Sequence, residues 1–569
     1  MNRLVALITS RHAQRISVIA ISGLGVVWLL ARFLGLSDVP PSFWMDEAWD
    51  AVHAMCLAQT GHDGAGNAWP LFSPALGGGN LPITWTVFDV GWTRVFGTSR
   101  AAFRSASAFW VVVTSAGLFS IARSLVALVR APAATVAETI SSTASARAPA
   151  SETTPGAKPA VTDGARCFPW LVLLAALVSP WSFQFSRISW EGPLAPAFLV
   201  LALAALLRLH ISGRFLWAVA SGCAAGLAMI SYPPLRVTTP LVLVLSCGIL
   251  LATARKGAAR RALFFRLAVM VAVVAVVISP VVVLTIRGEI TTRTMDVAIF
   301  APKWLDEHRG GTGRLPFFFI SLLDNIVAHL KPSYLFFTGD VNFRHSPHIV
   351  GQLSPVDLLA VGVALVILAR VAWRVLRQAT IAVAADVGGG EAPSTADAAQ
   401  ASTSTQQIGH RIGRGDLLLI AVAAFAVLGG FLAVLPAALT WEGVPHSLRS
   451  IAAWPFVALF TGAMLGFAWS RCRWMPVLTA AVVLAYSSRY LPLYVKAYRT
   501  GDQGFFHGEI MEAIDAGRAA NPPRNARESI APLVSRHGDE VLRYFVMHYD
   551  GLSCQESIEA MHALREQQH

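Results

Sequence analysis

Charged residues are scarce in this chain of 569 residues: Asp, Glu, Lys and Arg together make up 14%, against 55% hydrophobic residues. A soluble globular protein carries roughly 25% charged residues, so the composition excludes that class. Cysteine is scarce too, with six residues, none of them in a pair spaced as metal ligands. Only Cys56 and Cys554 are expected to share a compartment, which leaves a disulfide between them open.

Hydrophobic runs of about twenty residues recur along the chain and predict membrane-spanning helices. We interpret the first as a retained anchor, because no small-residue cleavage site follows it. The predicted spans are 16–36, 104–123, 168–185, 193–208, 215–232, 235–253, 267–286, 355–372, 416–436, 450–470 and 475–490. The expected fold class is therefore an all-α polytopic membrane protein with about eleven spans.

Residues 81–97 form a short aromatic segment that carries Asp89 and Arg94. We interpret this segment as an interfacial or re-entrant helix rather than a crossing. With a cytoplasmic N-terminus, the basic cluster from Arg255 to Arg266 then lies inside, as the positive-inside rule requires. A crossing at 81–97 would put that cluster outside.

The polar segments between the spans divide the chain into units. Two of these segments are rich in Ala, Ser, Thr and Gly, and they are predicted to be disordered cytoplasmic linkers. The expected units are 1–123 (first span, catalytic outer loop and second span), 124–167 (linker), 168–372 (bundle with outer loop 287–354), 373–415 (linker), 416–490 (C-terminal spans) and 491–569 (a small outer segment).

The most informative stretch is 40–61, just beyond the first span, which contains the adjacent acids Asp46 and Glu47. It opens with two prolines and a serine and closes with a glycine, so it predicts a separate helix. At helical spacing Asp46, Asp50 and His53 share the face opposite an apolar one, so we expect the helix to lie on the bilayer with its acids towards a polar cavity. The alternative is a loop helix with a solvated acidic face. The same three side chains could hold Mg²⁺ or Mn²⁺, but we predict no metal because surface helices produce such stripes by chance.

Several cationic residues lie in the outer loops, where the charge rule disfavours them. They are Arg187, Arg236, Arg344, His345 and Arg449. A lipid-linked phosphate held at the outer surface would explain them, since Arg makes bidentate phosphate contacts. The alternatives are that Arg187 only snorkels from a span end and that Arg236 caps helix carbonyls.

A set of short motifs, mostly in the outer loops, is shared with a known family. These motifs are Asp46-Glu47-Ala48, Thr60-Gly61, Pro70-Leu71-Phe72, Gly79-Asn80-Leu81-Pro82-Ile83, Phe96 to Arg104, Ser179-Pro180-Trp181 before Ser186-Arg187, and the loop from Gly339-Asp340 to Arg344-His345. Together they resemble the GT-C superfamily of membrane glycosyltransferases, near its protein O-mannosyltransferase and aminoarabinose-transferase branch. The likeness runs from about 16 to 450 without the linkers. Many relatives carry a basic residue near the position of Asn80, which is neutral here.

The resemblance implies an inverting glycosyltransferase that moves a hexosyl or pentosyl unit from a polyprenyl-phosphate carrier to an envelope lipid, glycan or protein. The reaction would take place at the outer face of the cell's inner membrane. Asp46 matches the family's catalytic base and Glu47 its second acid, while Arg187, Arg236 and Arg449, with the pair at 344–345, would bind the donor phosphate.

The expected partners are the lipid-linked donor, the acceptor and membrane lipids, with no nucleic acid. No cofactor is predicted, and a divalent cation is the alternative. The rival class is a transporter or flippase for a lipid-linked sugar or anion, which should carry ionisable residues within several spans and broken helices at the midplane. The charges of the predicted spans lie near the span ends and leave the middle of each span clean of charge, which favours surface chemistry.

Overall fold

The computed structural model describes residues 10–76, 79–130, 163–254, 256–290, 292–387, 413–500 and 506–567. Within these ranges the protein is mostly α-helical. The helices up to the long outer loop are α1 (Arg11–Ala31), α2 (Met45–Thr60), α3 (Ile83–Phe96), α4 (Arg100–Arg130), α5 (Asp163–Val178), α6 (Pro180–Phe185), α7 (Leu194–Ser212), α8 (Phe215–Ser231), α9 (Leu235–Thr253) and α10 (Ala258–Ile286). The later helices are α11 (Thr292–Val297), α12 (Pro302–His308), α13 (Arg314–Leu330), α14 (Pro355–Val387), α15 (Arg414–Ala438), α16 (Ala453–Arg471), α17 (Met475–Thr500), α18 (Gly508–Ala519), α19 (Ala526–Ile530), α20 (Asp539–Tyr549) and α21 (Cys554–Glu566).

Among the described residues, eight helices are long and apolar enough to cross a membrane: α1, α4, α7, α9, α10, α14, α15 and α16. Helices α5 and α8 are apolar but shorter, and α17 occupies the place of the last predicted span. The predicted class, an all-α polytopic membrane protein, is therefore confirmed. The span expected at 168–185 is instead broken before Pro180, because Ser179 accepts a hydrogen bond from the N–H of Ser182 and starts α6 as a separate helix.

The ends of both predicted linkers are helical. Helix α4 runs to Arg130 and α14 to Val387, so the linker boundaries expected at 124 and 373 are wrong. The Ala-, Leu- and Arg-rich sequences there are good helix formers and continue the spans. Helices α5 and α15 likewise begin at Asp163 and Arg414, inside the linkers predicted to end at 167 and 415. Residues 131–162 and 388–412, the middle of each predicted linker, lie outside the described residues.

The first outer loop contains α2, a hairpin and α3. Strands β1 (Phe72–Ala75) and β2 (Gly79–Pro82) pair antiparallel, with Ser73 opposite Leu81. Helix α3 has 14 residues, which span about 21 Å at 1.5 Å each, less than the hydrocarbon core of about 30 Å. It is not one of the candidate spans, in keeping with the interpretation of 81–97 as a non-crossing helix.

The C-terminal segment covers α2. Side chains of α18 and α20 share a hydrophobic core with α2, where Val52, Ile510 and Leu542 are fully buried. A disulfide joins Cys56 of α2 to Cys554 at the start of α21. Residues 47–57 are all buried, so the expectation that the apolar side of α2 rests on the bilayer is wrong: that side packs against the C-terminal helices.

The bundle core lies around α5 and α16, which pack against each other and against α4 and α15. Helix α1 packs on α17 through Trp28, whose indole N–H donates to Ser487 Oγ at 2.8 Å. Trp28 also stacks on Tyr486 and Tyr490, one turn apart on α17. These contacts place the end of α1, and therefore the start of the first outer loop, against the rest of the bundle.

Candidate active site

The two adjacent acids at the start of α2 have different surroundings. The side chain of Asp46 is 30% exposed, whereas that of Glu47 is 1% exposed. Trp44, the residue before the helix, contacts both: its backbone N–H donates to Glu47 Oε2 at 3.0 Å, and its indole N–H donates to Asp46 Oδ2 at 2.9 Å. Asp46 is therefore the accessible acid of the pair.

Glu47 forms a buried ion pair with Arg104 of α4. The Nε and Nη2 of Arg104 donate to the two carboxylate oxygens at 3.0 Å each, and the N–H of Ser189 donates to Oε1 at 2.8 Å. Arg104 also donates to the carbonyls of Leu36 and Pro40. The carboxylate predicted as a second catalytic acid is therefore occupied by protein donors, and it joins the start of α2 to α4.

Arg344 is the predicted phosphate ligand that lies beside Asp46. Its guanidinium carbon is 3.7 Å from the centroid of the Trp44 ring, and its Nη1 is 3.8 Å from Asp46 Oδ2. Nε donates to Asn342 Oδ1, which fixes the side chain within its own loop. The Asp46 distance exceeds that of a hydrogen bond, so within the described part of the chain the two terminal nitrogens keep donors for a ligand.

The pKa of Asp46 is raised above its ordinary value because burial disfavours the charged form. The Trp44 hydrogen bond and the positive charges of Arg344 and Arg293 oppose this shift. A carboxylate with a raised pKa is a stronger proton acceptor.

Three further acids are buried nearby, Asp50, Asp89 and Glu191. The charges of Glu191, Asp46 and Asp89 all act on Asp50. Burial raises the pKa of each, that of Glu191 to about 8. Asp50 Oδ2, Glu191 Oε2 and both Asp89 oxygens have no hydrogen-bond partner in the described ranges. Unpaired buried polar atoms are rare, so these three acids have oxygens available for hydrogen bonds with a ligand.

Two of the predicted phosphate ligands, Arg187 and Arg236, donate hydrogen bonds to backbone carbonyls. Arg187 is buried, and its terminal nitrogens donate to four backbone carbonyls in the stretch 31–39, where α1 ends. Its guanidinium thus stabilises the end of α1, and the predicted contact with phosphate would have to displace these hydrogen bonds. Arg236 sits in the first turn of α9, where Nε donates to Met229 O and the guanidinium lies 5.8 Å from the Phe72 ring centroid. The alternative that Arg236 binds helix carbonyls agrees with that contact.

Arg449 is neutralised by Glu442. Its Nη2 donates to Glu442 Oε2 at 2.7 Å and its Nη1 to Thr440 Oγ1 at 2.9 Å. Arg293 Nη2 lies 3.7 Å from the same carboxylate oxygen. Glu442 therefore joins Arg449 to Arg293, whose charge also acts on Asp46.

His345 is enclosed rather than accessible, with 3% of its side chain exposed. Nδ1 lies 2.9 Å from Asp340 Oδ2, which also accepts from the N–H of Ser447 at 2.7 Å. Burial alone would raise the pKa of Asp340, but the adjacent His345 ring and these hydrogen bonds hold it below its ordinary value. This pair anchors the loop that carries Arg344, so the predicted contact between His345 and phosphate would need that loop to open.

The acidic face considered for a metal does not form a ligand set in the described residues. His53 binds the N–H of Gly64 through Nδ1 and lies 3.1 Å from Pro74 O through Nε2. The groups close enough to share an ion are two others: Asp340 with His345 and His446, and His507 with Glu509 and His537.

Sequence reasoning missed several residues of this site. Arg293, Glu191 and Trp44 were not singled out, and Arg104 appeared only as the last residue of the motif that begins at Phe96. A charge inside the predicted span 104–123 was the available signal for Arg104, since an arginine there needs a partner. Nothing in the sequence pairs it with Glu47.

The fold and the site define a polytopic membrane protein in which an accessible carboxylate and an arginine meet beside buried acids. A scan of protein-family models and a search of curated proteins found no match. Among solved structures, the chain is similar to the oligosaccharyltransferase AglB of the archaeon Archaeoglobus fulgidus, in complex with an inhibitory peptide and a dolichol-phosphate, with 12% identity and a TM-score of 0.45. That match covers 95% of this chain and 60% of AglB, so the chain spans less than two thirds of AglB's length.

A second similar structure is ArnT of Cupriavidus metallidurans bound to undecaprenyl phosphate. It has 15% identity and a TM-score of 0.41 over 95% of this chain and 87% of ArnT. Both proteins are GT-C glycosyltransferases, the superfamily that the motifs around Asp46 resemble. At such identities and scores the likeness carries no weight for substrate or mechanism.

Proposed function

We propose that this protein is an inverting glycosyltransferase that moves a sugar from a polyprenyl-phosphate carrier to an envelope acceptor at the outer face of the inner membrane. The observation that carries the proposal is the pairing of the accessible carboxylate of Asp46 with Arg344 at 3.8 Å, both held by Trp44. This arrangement sets a base beside a cation with unused donors, which the transfer of a sugar from a phosphate requires.

In the proposed reaction Asp46 accepts the proton of an acceptor hydroxyl as that oxygen attacks the anomeric carbon. The bond from this carbon to the phosphate oxygen breaks, and the lipid phosphate leaves with both electrons. Arg344 donates to the departing phosphate, with the charge of Arg293 nearby, and such preorganised donors stabilise the charge that develops in the transition state. Glu47 and Arg104 are positioning residues, because both side chains are buried and bind each other, which fixes the start of α2.

The buried acids have a separate role in the proposal. Asp50 and Glu191 have raised pKa values, so each keeps a proton at pH values where an ordinary carboxyl is ionised. A neutral carboxyl group both donates and accepts a hydrogen bond. We propose that both acids form hydrogen bonds with hydroxyl groups of the sugar or the acceptor. These bonds would give partners to Asp50 Oδ2 and Glu191 Oε2, which have none in the described residues.

Two features support the outer face. The Cys56–Cys554 disulfide ties α2 to the C-terminal segment, and disulfides persist in oxidising compartments. The basic cluster, by contrast, has Lys256 in the short connection between α9 and α10 and Arg260, Arg261 and Arg266 in the first turns of α10, an end that the charge rule puts in the cytoplasm. The acids and the basic cluster then lie on opposite sides of the membrane.

The test is consumption of a radiolabelled polyprenyl-phosphate sugar by purified protein reconstituted in vesicles. We expect Asp46→Asn to lose at least a hundredfold in turnover, since general bases contribute about 10²–10⁴, while donor binding survives. Asp324→Asn, which changes an exposed acid of α13, is the matched control. Full activity of Asp46→Asn would refute the proposal, and transfer of intact donor across the bilayer without cleavage would favour the transporter.

A further inference from the structure

A second cluster of ligating side chains lies where the C-terminal segment meets α2. His507 precedes α18, Glu509 lies in its first turn and His537 precedes α20. One ligand atom from each side chain lies within 4.8 Å of the other two. The cluster is separate from the proposed active site, and the glycosyltransferase mechanism uses none of these side chains.

The two histidines have unsatisfied nitrogens. The Nε2 atoms of His507 and His537 are buried and lack a hydrogen-bond partner in the described part of the chain. His537 Nε2 lies 3.1 Å from Glu509 Oε1, close enough for an ion pair although the angle does not suit a hydrogen bond. Buried ring nitrogens without partners are uncommon, and two of them beside a carboxylate indicate a missing common partner.

The spacing suits a metal ion. Ligand atoms about 2.0–2.1 Å from a tetrahedral ion lie about 3.4 Å from one another, within the range from 3.1 to 4.8 Å found here. The ring centroids of His507 and His537 are 4.8 Å apart at 82°, so the rings converge without stacking. The Glu509 side chain is 40% exposed, which leaves room for water as a fourth ligand.

The local charges also suit a cation. The charges that act on the His507 ring come from His537 and Glu509. In the other cluster, by contrast, the positive charges of Arg344 and Arg449 act on His446, which opposes a second cation.

We propose that His507, Glu509 and His537 bind one transition-metal ion of the zinc class. Two imidazoles and one carboxylate suit Zn²⁺ and its neighbours better than Mg²⁺ or Ca²⁺, which prefer ligand sets made of oxygen alone. The His507 backbone has φ 48° and ψ 45°, a left-handed conformation that costs a non-glycine residue about 1–3 kcal/mol.

The ion would act on the active site by position. The His507 ring stacks on the Trp44 ring, with centroids 5.7 Å apart and planes at 7°, and Trp44 holds Asp46 and Arg344. A bound ion fixes the His507 ring and through it the Trp44 indole. The ion would therefore lie outside the active site, next to Trp44, and would take no part in bond cleavage.

The test is metal binding by the full-length protein, purified without a polyhistidine tag and stripped with a chelator. Co²⁺ is titrated as a spectroscopic probe, and Zn²⁺ affinity is measured by competition with a chromophoric chelator. We expect one equivalent bound by the wild type. His537→Ala and Glu509→Gln should each weaken binding at least tenfold, because even substitutions around metal ligands cost roughly 10–100-fold.

His562→Ala, which changes an exposed histidine of α21, and His345→Ala, in the other cluster, should bind as the wild type does. Glu509→Gln is the second ligand variant because the Glu509 side chain is partly exposed, so its replacement should not disturb the fold. No binding by the wild type, unchanged affinity in both ligand variants, or loss of binding in His345→Ala would each overturn the proposal. None of these readouts depends on glycosyl transfer, so the metal site and the activity succeed or fail separately.

Discussion

Replacing Glu47 with glutamine keeps the size of the side chain and removes its charge. Arg104 makes two charge-assisted hydrogen bonds to this carboxylate at 3.0 Å each, and such bonds are worth about 1.5–3 kcal/mol apiece. Breaking one partner of a buried ion pair costs about 3–5 kcal/mol, because the other charge is left uncompensated. Arg104 keeps its acceptors at the carbonyls of Leu36, Pro40 and Ser42, so we expect a loss at the low end, about 3 kcal/mol.

The assay is thermal denaturation of the detergent-solubilised protein alongside turnover of the lipid-linked donor. Each kcal/mol lowers Tm by about 2–4 °C in domains of 150–250 residues, and by less in longer chains, so we expect a fall of roughly 5 °C for Glu47→Gln. Asp324→Asn serves as the control and should melt with the wild type. If Glu47→Gln has the same Tm as the wild type but no turnover, the positioning role is wrong. Glu47 would then act chemically, as the second acid that the sequence predicted.

Three further predictions concern the groups around Asp46. Trp44→Phe removes the indole hydrogen bond that lowers the pKa of Asp46; this pKa rises further, and the acid limb of the pH–rate profile moves to higher pH. Arg344→Lys keeps the charge but loses the planar fork and its stacking, so kcat should fall about a hundredfold, the scale for losing one transition-state donor. Replacing Cys56 and Cys554 by serine should lower Tm, since losing a native disulfide costs about 2–5 kcal/mol.

Each of these variants has a control of the same chemistry. Trp441→Phe, at an exposed indole, should leave the pH profile unchanged, and Arg309→Lys should leave kcat unchanged. Cys472→Ser, at a free cysteine, should leave Tm unchanged. Two results would contradict the contacts on which these predictions rest. One is an acid limb of the pH–rate profile that does not move in Trp44→Phe, and the other is an unchanged Tm when both Cys56 and Cys554 are replaced by serine.

The spans were predictable because lipid requires long apolar runs, which remain visible in a single sequence. Helix α2 was equally clear: proline residues precede it, and Gly61 ends it with φ 74°. The burial of α2 under the C-terminal helices was not predictable. Cys56 and Cys554 are 498 residues apart, and local sequence patterns carry no information about packing over such distances. The apolar periodicity of α2 predicted a face in contact with lipid, but in the structure that face packs against the C-terminal helices.

The site was predictable in residue type more than in role. Asp46 and Arg344 were identified from an acidic pair and a polar outer loop, and they lie side by side. Arg187 was identified by the same logic, yet its donors are taken by the carbonyls at the end of α1. Whether an arginine is available depends on the backbone groups around it, and those are set by tertiary packing.

The cover over α2 has a consequence for biogenesis. Helix α2 is synthesised early, whereas the helices that bury it, α18 to α21, are the last described elements of the chain. The intervening spans are therefore synthesised before the helices that cover α2. A chain whose synthesis stops upstream of residue 506 would leave Trp44 without its stacking partner His507. If the protein acts as proposed, transfer should therefore require the synthesis of α18 to α21.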